Sequence, residues 1–168
     1  MASTLKVDTI AHTSGTSAMT IDSSGRINKG VMPYIYLRGN SATEVRTQGS
    51  AAVYTHWDLE GPALGGMTWN SSNGRLTVPV DGMYLVAAKF YLWINNATNH
   101  GIMVRKNGTT FQEYQTDFSG IGAGGRTDHT VTVNEILKLD ANDYIDFHCN
   151  ADVYGGSNHT NMQMVMLG

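Results

Sequence analysis

The chain has 168 residues, 19 of them Gly, with 15% charged residues and a formal net charge of -3. That length buries one sizeable core, the absence of a basic cluster excludes a nucleic-acid footprint, and the Gly-, Ser-, Thr-, Asn- and Val-rich composition excludes a helical bundle in favour of short strands and turns. No apolar run approaches the roughly 20 residues of a membrane span, and the start lacks a basic region followed by an apolar core, so neither membrane insertion nor a secretory signal is expected.

In chain order, residues 2–30 come first and differ in character from the remainder of the chain. Leu5, Val7 and Ile10 form one tiny apolar group, Met19 and Ile21 a second, and Ile27 stands alone, with Ser- and Gly-rich turns between them. Alone they cannot offset the backbone entropy of ordering the segment, about 1–2 kcal/mol per residue. Such a segment orders only against something else. The run Leu5-Lys6-Val7-Asp8-Thr9-Ile10, continued by Ser14-Gly15-Thr16-Ser17-Ala18-Met19-Thr20-Ile21-Asp22-Ser23-Ser24-Gly25-Arg26-Ile27, resembles the N-terminal segments of fibre and appendage proteins from tailed bacteriophages. That resemblance implies an arm that joins the particle. Leu5, Val7, Ile10, Met19, Ile21 and Ile27 are then the virion-attachment residues, and capsid or tail proteins their partners. A hinge-like stretch at residues 28–30 divides the arm, 1–30, from a head, 31–168.

The head begins with an expected strand at 32–37 and a turn at 38–41. A second strand is expected at 51–57, and a third ends at Trp69. Residues 74–80 alternate Leu76, Val78 and Val80 with Thr77 and Pro79, the period of a half-buried strand. Asp81-Gly82 is read as the tight turn of a hairpin. The return strand, 83–94, carries Tyr84, Val86, Ala88, Phe90, Leu92 and Ile94 on one face, and Met83, Leu85, Ala87, Lys89, Tyr91 and Trp93 on the other. Both faces are largely apolar, so each needs cover, from a second sheet or from another subunit. Asn107-Gly108 is a two-residue turn between strands 101–106 and 109–114. Residues 129–139, 144–149 and 161–167 supply further strands, with a turn at 140–143 and Gly-rich residues 118–127 as a loop. About ten strands result.

The run Gly74-Arg75-Leu76-Thr77-Val78-Pro79-Val80-Asp81-Gly82-Met83-Tyr84-Leu85-Val86 resembles the signature of the jelly-roll heads shared by the complement first-component globular domain and the tumour necrosis factor family. The order of the later strands follows the same pattern, over roughly residues 33–168. The resemblance implies an all-β, antiparallel jelly-roll sandwich that assembles as a homotrimer. It carries no Gly-X-Y stalk, and Met162, Gln163 and Met164 stand where those heads carry an aromatic and a Gly.

Chemistry-bearing residues are sparse. Cys149 is the single cysteine and alternates with polar neighbours on the apolar side of its strand, which makes it a small buried hydrophobe. Six His are scattered without metal-ligand spacing, so no metal site within one chain and no cofactor are expected; the alternative is that His148 or His129, repeated three times near a trimer axis, binds an ion. No nucleophile elbow, P-loop or dinucleotide fingerprint is present, which points away from an enzyme. Trp69, Tyr114 and Tyr154 are the candidate glycan contacts, as flat rings near loop margins, although most aromatics of a sandwich are buried. The expectation is a non-enzymatic virion structural protein of a tailed phage. It is a trimeric capsid decoration, head fibre or short tail appendage, assembled in the host cytoplasm and displayed on the virion surface. The alternative is a receptor-binding tail-fibre tip whose loops at 95–99, 118–127 and 153–158 recognise host surface glycan.

Overall fold

The computed structural model describes residues 7–11, 17–21, 23–29, 31–40, 44–45, 52–94, 100–116, 127–156 and 158–167. The chain divides into two compact units, Met1–Met32 and Pro33–Gly168. The first is a three-stranded antiparallel meander, β1 (Thr9–Ala11), β2 (Ser17–Ile21) and β3 (Ile27–Lys29), with β2 in the middle. Ile10 pairs with Met19, and Ile21 with Ile27.

The second unit is the all-β, antiparallel jelly-roll sandwich. Its strands, in order, are β4 (Tyr34–Gly39), β5 (Glu44–Val45), β6 (Ala52–Val53), β7 (Trp57–Leu59), β8 (Thr68–Asn70), β9 (Arg75–Thr77), β10 (Gly82–Ile94), β11 (His100–Lys106), β12 (Thr109–Thr116), β13 (Thr127–Leu139), β14 (Tyr144–Cys149), β15 (Asp152–Tyr154) and β16 (Asn161–Met166). One sheet runs β5-β15-β10-β16-β4-β7, with β13 along the other side of β10. The second runs β12-β11-β14-β9-β8, with β6 beside β14. Among the described residues the thirteen strands exceed the expected ten because the stretch 51–57 divides into β6 and β7, and β5 and β15 add two short strands where none was expected. Two unexpected changes of sheet accompany them.

The first change corrects the expected strand at 51–57. Val53 pairs with His148 in the second sheet, and the Tyr54 N–H donates to the Phe147 carbonyl at 2.8 Å. Three residues later Trp57 pairs with Gly39 in the first sheet. Two aromatic side chains thereby drop into the core at the corner. The second change corrects the expected hairpin over Asp81-Gly82. The Val78 N–H donates to the Asp143 carbonyl at 3.0 Å, but Pro79 has no N–H to continue the ladder, and the chain leaves the second sheet there. Gly82 is the first residue of β10 rather than a turn residue, and it pairs with Leu139. Asp81 braces the crossing by accepting a hydrogen bond from the Ala141 N–H at 2.6 Å. The same pairings make two smaller corrections: Arg38 and Gly39 continue β4 instead of turning, and Val153 and Tyr154, expected in the loop at 153–158, belong to β15.

The core lies between the sheets. Tyr84, Val86, Phe90 and Leu92 of β10 are fully buried, and Ala88 nearly so. Burying a large apolar side chain contributes about 1.5–3 kcal/mol. Phe90 meets Phe147 of the opposite sheet with ring centroids 5.2 Å apart; from the corner Trp57 closes on both and Tyr54 on Phe90, the two corner rings 4.6 Å from each other. The ring angles are edge-on or tilted, as the charge distribution of aromatic faces and edges favours. Met162, Met164 and Cys149 are fully buried, and burial pushes the Cys149 thiol well above its ordinary range. The thiol therefore behaves as a core apolar group.

Candidate functional site: the outward face of the long-strand sheet

Because β10 alternates, burying Tyr84 through Leu92 turns Met83, Leu85, Ala87, Lys89, Tyr91 and Trp93 to the other side. The ladders extend that side into rows. Leu85 pairs with Ile136 of β13 and with Val165 of β16, which pairs with Tyr34 of β4. The next row is Asn134, Ala87, Gln163 and Tyr36, and the next Thr132, Lys89, Asn161 and Arg38. The face thus has an apolar end and a polar end. At the apolar end Ile136 is 57% exposed, Leu167 50% and Met83 41%, while Leu85 and Val165 are half-buried. Contiguous exposed apolar side chains on a sheet mark a contact surface more often than an accident of composition.

At the polar end the Lys89 Nζ donates to the Asn158 carbonyl at 3.2 Å. Tyr91, Tyr154 and His159 form a ring triangle, with centroids 6.1, 5.1 and 4.9 Å apart. The buried Thr160 hydroxyl ties it together, accepting from the Tyr91 N–H at 3.3 Å and donating to the Tyr154 carbonyl at 2.8 Å.

The three expected glycan contacts are not brought together. Trp69 lies on β8 and Tyr114 on β12, at opposite ends of the second sheet, and Tyr154 lies on β15 in the first. Trp69 and Tyr114 pack against the core. The Tyr114 hydroxyl donates to a Glu135 carboxylate oxygen and so bridges the two sheets; burial and that carboxylate push the phenol up to about 12. The grouping of Tyr91 and His159 with Tyr154 escaped sequence reasoning because nothing local links positions 91 and 159.

Of the expected attachment residues, Val7 and Ile10 are exposed and Met19 and Ile21 half-buried. Ile27 sits opposite Ile21, and Leu5 lies outside the described residues. The two histidines singled out for a trimer axis do not share the outward face. His129 is opposite Leu92, on the core side, and His148 is on β14 of the other sheet. Desolvation and the Arg105 guanidinium lower the His148 pKa, against the pull of Asp146. Asp146 is fully buried, with Oδ1 accepting from Arg105 Nε at 2.6 Å. Among the described residues no group of three His, Cys, Asp or Glu could hold a metal ion.

No protein-family model matches the sequence, and no curated protein matches it either. The structure does have neighbours. Eiger TNF from S. frugiperda superposes with a TM-score of 0.65 at 14% identity, covering 82% of this chain and 93% of that chain. Rabbit GITRL superposes with a TM-score of 0.52 at 16% identity, covering 81% of this chain and 94% of that chain. Both are jelly rolls of the TNF family, and at such identities the likeness is one of fold. Neither bears on the resemblance of residues 5–27 to phage segments.

Proposed function

We propose that the protein is a non-enzymatic structural component of a tailed-phage virion, a homotrimer anchored by its N-terminal arm with the jelly-roll head exposed on the virion surface. The observation that carries the trimer is the row Ile136, Leu85, Val165 and Tyr34, an apolar band on the outward face of a sheet whose other face already holds the core. TNF-like folds form homotrimers, which supports the same reading. The phage assignment rests on the wording of residues 5–27. A capsid decoration, a head fibre and a short tail appendage all suit an arm that meets the head with no shaft between.

Deleting residues 2–27 tests it. The shortened chain is expected to remain a folded trimer by light scattering and to fail to join particles that the full chain decorates. Undiminished incorporation would overturn the anchor, and a monomeric full-length chain would overturn the trimer. A second reading, a receptor-binding tip, is favoured by the Tyr91, Tyr154 and His159 rings, which offer sugar-stacking surface beside Lys89. Binding on an array of host surface glycans, lost in Tyr154→Ala, supports it; an array without hits removes it.

A further inference from the structure

We propose that Asn107 is a modification site, where the side-chain amide closes on the Gly108 backbone nitrogen and converts to aspartate or isoaspartate, and that the Asp143 carboxylate is the latch that governs the rate. The reaction needs neither enzyme nor cofactor. The Gly108 nitrogen, giving up its proton, bonds to Asn107 Cγ; the Cγ–Nδ2 bond breaks, and Nδ2 leaves as ammonia with that proton. Water then opens the cyclic imide at one of its two carbonyls. A following glycine favours the closure because it has no side chain to crowd the attacking nitrogen.

The sequence has two such steps, Asn73-Gly74 and Asn107-Gly108, and the structure restrains them differently. At the first the attacking atom is engaged. The Gly74 N–H donates to the Asn70 carbonyl at 2.9 Å, and Gly74 is buried, with the Tyr54 carbonyl oxygen 2.6 Å from where a Cβ would stand. That step opens only when the head itself opens. At the second, both residues are exposed at the tip between β11 and β12, and the restraint lies on the side chain. The Asn107 N–H donates to the Tyr144 carbonyl at 3.0 Å, and Asn107 Oδ1 accepts from the Tyr144 N–H at 2.9 Å. The side chain thus extends the β11–β14 ladder one step beyond Lys106 and Ile145. Nδ2 donates to Asp143 Oδ1 at 2.6 Å. Ring closure turns Cγ away from both partners and towards Gly108, so the bond to Asp143 has to break first. Conversion cannot re-form it: a carboxylate oxygen replaces the donor and faces a second carboxylate across the same gap, where like charges repel.

The test follows conversion at both asparagines by peptide mass spectrometry, with the full chain held at mildly alkaline pH, folded and in denaturant. Asn107 of the folded chain should convert more slowly than in the denatured chain by about tenfold or more, the worth of one hydrogen bond to a charged group. Asp143→Ala should return about tenfold in rate to Asn107 of the folded chain and leave Asn73 unchanged. Asn73 is the internal control, because it answers to unfolding of the head. A rise at both sites in equal proportion would report lost stability in place of a lost latch, and overturns the assignment. Conversion of native Asn107 at the denatured rate overturns it as well, without any variant that has to fold. So does an Asp143→Ala chain in which Asn107 is no faster. Asn107→Asp, which makes one product directly, should lower the thermal midpoint at neutral pH; an unchanged midpoint would show that Asp143 does not hold the amide, and overturns the latch.

Discussion

Tyr54 and Trp57 show how much of the interior turns on single atoms. Both rings are buried, and both carry a donor, the Tyr54 hydroxyl and Trp57 Nε1, that is buried with no hydrogen-bond partner. A buried group left unpaired costs on the order of 1–3 kcal/mol. Tyr54→Phe removes that cost while keeping the ring against Trp57 and Phe90, so thermal unfolding of Tyr54→Phe should occur at or above the native temperature, not below. Gly39 works in the opposite sense. A Cβ at this position would lie 2.1 Å from the Gly155 carbonyl oxygen, a backbone atom that cannot swing aside. Gly39→Ala should therefore destabilise the head by about 2–4 kcal/mol in denaturant unfolding, in the range of core overpacking and strain. The burial of Cys149 was legible in its alternation with Asp146 and His148. The need for glycine at 39 was not, because the atom that excludes a side chain belongs to residue 155.

Strands and turns were legible where their partners are near in sequence. Asn107 and Gly108, with φ of 52° and 79°, make the expected two-residue turn between β11 and β12. The two faces of β10 were legible from its alternation alone. The sheet changes at 54–57 and 78–81 were not, because residue alternation records which side is buried and says nothing about which sheet supplies the hydrogen bonds. Asp143 is what holds one of these crossings in place. Its carbonyl receives the Val78 N–H, and its carboxylate accepts from Lys106 Nζ at 2.7 Å, from Asn107 Nδ2 at 2.6 Å and from the Asp140 N–H at 2.9 Å. Lys106 first, then Asn107 and the backbone, hold the carboxyl down at about 2, against 3.8 for the free group. A carboxyl depressed on folding contributes its stability above its unfolded pKa and loses it as protons bind the native state. The contribution of Asp143 is thus complete above about pH 4 and falls away towards pH 2. Asp143→Asn should lower the urea midpoint at pH 7 and flatten its decline between those limits; an unchanged decline would show that other carboxylates govern it.

On the scale of the whole molecule, the outward face is assembled from residues 34, 85, 136 and 165, and this is why its rows could not be read in advance. Each position looks like one member of an ordinary alternating strand, and only the ladder joins them. Since Ile136 is exposed and Leu85 half-buried in the single chain, charging both tests association more than folding. Leu85→Asp with Ile136→Asp should convert the trimer to a monomer by light scattering while leaving the strand-rich circular dichroism spectrum in place. A double variant that stays trimeric would move the interface to another face.

The ladder partners of β10 also set a timetable for synthesis. β10 is made by residue 94, yet its neighbours are β13, completed at residue 139, and β16, completed at residue 166. β4, earlier still, pairs early with β7 but waits for the same β16 on its other side. At translation rates of roughly 5–20 residues per second, a strand apolar on both faces leaves the ribosome several seconds ahead of its cover. The long-strand sheet therefore cannot close before β16 is made, and nascent chains stalled before residue 161 should remain protease-sensitive and bound by chaperones.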